Sequence, residues 1–343
     1  MKILIIGGTK FLGRHLVGAA QAKNYEVTLF NRGKFTRETF AGVEQIRGDR
    51  NADLDKLKNH EWDAVIDTCG YLPQTVTAST EFLRDSVGQY VFISSISAYA
   101  HFRQVNFDES APLARLTAKQ KRKVAQIDPR SELTGIVLGE MYGALKALCE
   151  AEAESVMPGR VLNVRPGLIV GEYDWTDRFT YWVMRGARGG KILAPADPNN
   201  FIQFIDARDL SEWIIEMIAE KETGTFNLTG RPFELTFGSF LQEVKEVTES
   251  DADFIWVSEE FLKNESVAPW SEMPLYLPGS EKGWRGFLSA NIDRALAKGL
   301  TFRPTSETIR DTWEWRKTVK RKLKAGITRK RERELLGKWR RQR

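Results

Sequence analysis

Through the first two thirds of the chain, short apolar runs bounded by polar residues alternate with longer stretches whose apolar positions recur every three or four residues. The short runs are β-branched, as at Val65-Ile66 and Val91-Phe92-Ile93, and fit strands buried on both faces; the longer stretches have the period of amphipathic helices. This pattern predicts strands over 2–6, 26–30, 44–47, 64–67, 89–94 and 159–165, and helices over 12–22, 74–85 and 142–156. Alternation of this kind predicts an α/β fold, a doubly wound parallel sheet covered by helices on both faces. After Arg165 the rhythm lapses. Segments 171–182 and 251–284, rich in Pro, Trp and charge, read as a smaller lobe or lid of irregular structure and short helices.

The end of the chain is again helical in pattern. Trp315, Val319 and Leu323 recur every four residues through basic sequence, Gly326 interrupts, and Leu335, Leu336 and Trp339 begin a second stripe. Such spacing predicts a tail docked on something. Charge points the same way. From Arg316 onward there are 14 Lys or Arg against two acids, Glu332 and Glu334, a balance of +12, so the total of +5 leaves −7 on the other 315 residues. An acidic body offers the basic tail a complementary surface.

With 343 residues and 42% apolar composition the chain can bury a large core. Its first apolar run, Ile3 to Ile6, is too short for a signal peptide or a membrane span, so no membrane partner is expected. Cys69 and Cys149 make no disulfide framework and suit a reducing cytoplasm; His15, His60 and His101 lack ligand spacing, so no metal site is expected.

The first strand runs directly into Gly7-Gly8-Thr9-Lys10-Phe11-Leu12-Gly13. Gly7 and Gly8 permit a tight strand-to-helix turn and close approach of a pyrophosphate to the free N–H groups of the next helix, and Gly13 lets that helix pack close to the strand. A glycine turn in this context predicts dinucleotide binding on a Rossmann sheet. Residues 1–170 form the expected NAD(P)-binding domain, with elements near 200–230 returning to it; 171–312 are mainly a C-terminal substrate lobe and 313–343 the basic helical tail.

Tyr142 and Lys146 stand four apart, on one face of a predicted helix. A phenol ionises near pH 10, and a neighbouring ammonium favours the phenolate, so Lys146 could ready Tyr142 to exchange a proton with a substrate hydroxyl or carbonyl. Ser94-Ser95-Ile96-Ser97-Ala98-Tyr99 follows a buried strand, where ligands gather in open α/β sheets. With these residues the chain resembles the short-chain dehydrogenase/reductase superfamily, in its extended branch of NAD(P)-dependent epimerases, dehydratases and reductases. The resemblance covers nearly the whole chain. It implies Ser95, Tyr142 and Lys146 as the catalytic set, and a cofactor site at Gly7 to Gly13, Asn31, Arg32, Asp49, Arg50, Thr68, Cys69, Gly70, Tyr142, Lys146, Arg165, Pro166 and Gly167. Phe204-Ile205-Asp206-Ala207-Arg208-Asp209 and Phe226-Asn227-Leu228 are similar to its later signatures.

Three departures stand out. Lys10 replaces a usual glycine; the 47 residues from Ser95 to Tyr142 imply an insertion near 102–138 placed over the site; and Ile96-Ser97, instead of an Asp-Glu pair, follows Ser95, which disfavours sugar 4,6-dehydration. The second strand ends in Asn31-Arg32-Gly33 with no acid for a ribose 2′-hydroxyl, so NADP(H) is favoured over NAD(H), with Arg32 and Lys10 as phosphate partners. Ser97, Arg178 and Tyr181 are the tentative substrate contacts, although Tyr181 and Trp182 read equally as lobe core. The expected function is an NAD(P)-dependent oxidoreductase or epimerase-like enzyme acting on a small carbonyl, alcohol or nucleotide-sugar substrate, with a homodimer as a candidate assembly. A non-catalytic cofactor sensor or an RNA-binding member of the superfamily is the rival reading, ranked lower because the Ser95, Tyr142 and Lys146 set is intact.

Overall fold

The computed structural model of the chain describes residues 1–34 and 40–342. The first part runs β1 (Lys2–Ile6), α1 (Phe11–Ala22), β2 (Glu26–Asn31), β3 (Glu44–Arg47), β4 (Trp62–Asp67), α2 (Pro73–Leu83) and β5 (Val87–Ile93). An insertion carrying α3 (Ala118–Val124) and α4 (Gly135–Leu138) leads to α5 (Tyr142–Val156), β6 (Val161–Pro166) and β7 (Leu168–Val170). There follow α6 (Arg178–Gly186), β8 (Lys191–Pro195), β9 (Phe204–Asp206), α7 (Ala207–Ala219), β10 (Gly224–Leu228), α8 (Phe237–Val247) and β11 (Asp253–Val257). The chain closes with α9 (Glu259–Asn264), α10 (Asp293–Ala297), α11 (Thr305–Thr318) and α12 (Arg329–Gln342).

Seven parallel strands form the main sheet in the order β10-β6-β5-β4-β1-β2-β3. Ile5 lies between Leu29 of β2 and Ile66 of β4, so the apolar run that opens the chain becomes the centre of the sheet. On one face α1 presents Leu12, Leu16, Val17 and Ala20 beside Leu210, Trp213 and Ile214 of α7; on the other, Val76 and Leu83 of α2 meet Cys149 and Ala153 of α5. Strand order reverses between β1 and β4, and the crevice beyond their carboxyl ends is where such sheets bind ligands. The sheet therefore takes its last strand from chain that has already visited the lobe.

The lobe has its own core. Pairs β7-β9 and β8-β11, both parallel, pack with α6 and α8 around Phe179, Trp182, Phe237 and Phe240, whose rings meet edge-on or tilted at 5.1 to 6.4 Å. The stretches around 171–177 and 267–291 are largely irregular, as composition suggested, but α6 and β11 are regular.

The tail differs from its expected shape. Helix α11 ends at Thr318 and Val319 is extended, so Trp315, Val319 and Leu323 share no helix. The cause is Arg316, whose guanidinium donates to the carbonyls of Val319 and Arg321 and so satisfies the turn that would otherwise continue the helix. Helix α12 docks on the lobe with Leu335, Leu336 and Trp339, and Gly326 lies so close to the Tyr181 ring that a Cβ would meet it at 1.9 Å. Two ion pairs tie the tail down: the buried pair of Arg185 with Glu332 at 2.9 Å, and the half-buried Arg321 with the fully buried Asp177. Among the described residues no helix is long and apolar enough to cross a membrane.

Candidate functional site

A cleft of about 410 Å³ opens at the carboxyl edge of β1, β4 and β5, within the range of small-molecule and cofactor sites. Its floor is the glycine turn. Gly7 and Gly8 have φ of +100° and +76°, and a Cβ on Gly13 would lie 2.3 Å from the Gly8 Cα, so this loop exists only because three side chains are missing. The whole run from Gly7 to Gly13 lines the cleft, with the N-terminus of α1 behind it. That cradle fits a pyrophosphate, and the elongated cleft, running from Asn31, Arg32 and Asp49 at one end to Ser95 and Tyr142 at the other, fits a dinucleotide.

At the second end Tyr142 opens α5 and lines the cleft with Ser95, whose side chain accepts from the Ser97 amide at 3.1 Å. The approach of α5 is close: a Cβ on Gly143 would strike the Ser97 carbonyl at 1.9 Å. Lys146, one turn on, is 3% exposed and donates to the carbonyls of Gly70 at 2.8 Å and Ile93 at 2.6 Å. An ammonium has three donors, so one remains for the cleft that Lys146 lines.

The electrostatics depart from expectation. Burial raises the Tyr142 phenol above its ordinary value, and what opposes that rise is the Ser95 hydroxyl. Lys146, itself pushed down by desolvation, is anchored to two carbonyls rather than turned to the phenol.

Beneath these side chains lies an ion pair that sequence reasoning did not assign. Glu150, two turns after Tyr142, takes Arg165 at 2.6 Å and the Ser94 hydroxyl, all buried. Arg165, expected at the nicotinamide, is thus turned under the site, while Pro166 and Gly167 do line the cleft. Arg50 likewise touches the cleft wall but commits its guanidinium to Asp67 at 2.7 Å and Ser79 at 2.8 Å; Asp49 faces the cleft and accepts from the Asn51 amide at 2.9 Å. Thr68 and Cys69 line the wall, whereas Gly70 contributes its carbonyl to Lys146.

The three tentative substrate contacts lie elsewhere. Ser97, Arg178 and Tyr181 are all absent from the cleft lining. The Ser97 amide and carbonyl serve the Ser95 turn and α5, Arg178 sits 5.3 Å over the Trp270 ring, and Tyr181 is core beneath Gly326. Trp175 and Tyr71 were not anticipated in the cleft, whereas Pro129, Ser131, Leu133 and Thr134 belong to the insertion that the Ser95-to-Tyr142 interval placed over the site.

A sequence profile described as "NAD dependent epimerase/dehydratase family" matches residues 3–229. The chain is 24% identical over 254 residues to the chloroplast stem-loop binding protein of 41 kDa b of Arabidopsis thaliana, which covers 68% of this chain but only 59% of that protein. Among solved structures it is similar to UDP-N-acetylglucosamine 4-epimerase from Bacillus cereus (17% identity, 94% of this chain and 98% of that one, TM-score 0.64). It is also similar to UDP-glucuronic acid 4-epimerase from Bacillus cereus, solved with NAD (15% identity, 94% and 100% coverage, TM-score 0.64). These identities speak to the fold.

Proposed function

Since the chain belongs to the NAD dependent epimerase/dehydratase family, we propose that it is an NAD(P)-dependent oxidoreductase of the epimerase kind acting on a nucleotide-linked sugar through Ser95, Tyr142 and Lys146. The observation that carries the reading is one cleft with a glycine cradle at its centre and Ser95, Tyr142 and Lys146 together at one end. When bound there, a nicotinamide dinucleotide supplies hydride exchange with a carbon of the substrate. Tyr142 holds or takes the proton on the adjoining substrate oxygen, and Ser95 bonds that oxygen and orients it. Lys146, held by two carbonyls, gives its remaining N–H to the cleft. Arg32, Lys34 and Lys10 border the other end, and their charge favours the 2′-phosphorylated cofactor. Nucleotide-linked sugars are the favoured substrates because the structurally similar epimerases carry them in their names.

The test is turnover on a panel of UDP-hexoses with either cofactor, wild type against Tyr142→Phe. Loss of turnover by about a hundredfold or more with cofactor binding retained supports the acid/base role; wild-type turnover by the variant sinks it.

A second reading has one observation behind it. After docking, α12 still exposes Arg329, Lys330, Arg333, Arg340 and Arg341, and the Arabidopsis relative is named for stem-loop binding. Docking and a phosphate-binding face are thus compatible. A salt-dependent RNA gel shift, lost on replacing Arg333, Arg340 and Arg341 by Ala at unchanged stability, would establish it.

A further inference from the structure

The insertion lies over the cleft along its length: Gly135 sits against the Tyr142 ring, and the residues before it reach the opposite end. Its 129–134 stretch runs beside the end of β2, where Asn51 donates to the Pro129 carbonyl at 3.0 Å, Arg32 to the Arg130 carbonyl at 3.1 Å, and Lys34 pairs with Glu132 at 3.3 Å. Pro129, Ser131, Leu133 and Thr134 line the cleft together with Arg32 and Lys34. At the end of β2 stands Asn31, whose Oδ1 accepts from the Gly33 amide at 2.8 Å and whose buried Nδ2 has no partner among the described residues. A donor is thus left for a ligand at this end, and no carboxylate comes from β2 itself. Besides Asp49, a carboxylate comes from the insertion. Glu132 sits in the field of Lys34, Lys10 and Arg32, which together hold it below the usual carboxylate range.

We propose that Glu132 is a built-in counter-anion for the cations that read a cofactor 2′-phosphate, so that the insertion, and not β2, sets how strongly the phosphorylated dinucleotide is preferred. A phosphate that engages Lys34 and Arg32 competes for them with the Glu132 carboxylate and the Arg130 carbonyl, and it carries its charge beside an acid. A ribose hydroxyl makes no such demand and can accept from the Asn31 Nδ2. Glu132 therefore taxes one cofactor and spares the other. Because Glu132 and Lys34 are exposed, water and salt screen the effect, which is worth a factor of about three to ten in affinity.

The inference rests on the reading that the cleft holds a nicotinamide dinucleotide, and calorimetric titration of the full chain separates the two. NADP⁺ and NAD⁺ are titrated into wild type, Glu132→Gln, and Glu132→Gln combined with Arg32→Ala and Lys34→Ala. The expected result is a gain of about three- to tenfold in NADP⁺ affinity for Glu132→Gln, with NAD⁺ changed less than about twofold. That gain shrinks in about 0.5 M salt and disappears in the triple variant. Equal losses for both cofactors would mean that Glu132 merely holds the insertion in place, and an unchanged ratio would mean that it does not sense the 2′ position; either overturns the proposal. Wild type binding neither nucleotide overturns the dinucleotide reading itself, and is seen before any variant is compared.

Discussion

Replacing Glu332 by Ala should destabilise the protein by about 3 kcal/mol, although this residue is far along a basic tail that could be taken for a solvated arm. The Arg185 and Glu332 side chains are 10% and 4% exposed, Arg185 Nε reaches both carboxylate oxygens at 2.9 and 3.1 Å, and Glu332 also accepts from the Leu193 amide at 3.2 Å. Removing one partner of a buried pair costs about 3–5 kcal/mol because the other charge is left uncompensated. Here the lower end applies, since Arg185 keeps the carbonyls of Gly189 at 2.9 Å and Lys191 at 2.7 Å. With an unfolding entropy of about 0.7 kcal/mol per degree for a chain of 343 residues, the midpoint should fall by about 4 °C in a cooperative calorimetric transition. The exposed Glu334→Ala serves as control and should move it by less than 1 °C or so. Replacing both partners with apolar residues should restore most of the loss, because no orphan charge remains. A Glu332→Ala midpoint indistinguishable from that of Glu334→Ala would refute the docked tail.

Asp174 is buried and desolvation pushes its carboxyl up to about 6, above the 3.8 of an unfolded chain. The native state then binds more protons between about pH 4 and 6, so stability falls as pH rises through that window and the ionised form costs about 3 kcal/mol above it. Asp174→Asn should flatten urea midpoints over this range and be more stable than wild type at pH 7; equal slopes for the two proteins would contradict this. Glu150→Gln strips the buried Arg165 of its counter-charge and should cost about 3 kcal/mol in the same assay. No loss would show that this pair does not brace α5.

Much of this arrangement was legible because local pattern and tertiary role agree. Runs such as Ile3 to Ile6 fit buried strands, Gly7 and Gly8 are required by their positive φ, and Gly13 by a backbone approach of under 3 Å. Helical spacing paired Tyr142 with Lys146, the strand end and the family resemblance brought in Ser95, and all three line one cleft. What escaped was set by distant contacts. Nothing in the spacing of Arg50 or Arg165 shows that their guanidinium groups turn inward to Asp67 and Glu150 rather than out to a cofactor. Arg178 and Tyr181 were placed by analogy of position, and the lobe folds so that one meets Trp270 and the other underlies Gly326. The tail's four-residue repeat was real as sequence but was overridden by Arg316 and Gly326, which end one helix and swing the chain to the next.

The central claim is that a nicotinamide dinucleotide lies across the Gly7–Gly13 turn. Titration calorimetry of wild type and Gly13→Val with NADP⁺ and NAD⁺ tests it most directly, because a Cβ at residue 13 would lie 2.3 Å from the Gly8 backbone and remodel the cradle while leaving Ser95, Tyr142 and Lys146 untouched. The account predicts saturable one-to-one binding to wild type and loss of at least about a hundredfold in Gly13→Val, with its fold retained by circular dichroism. A wild type that binds neither nucleotide, or a folded Gly13→Val that binds as tightly as wild type, would contradict it.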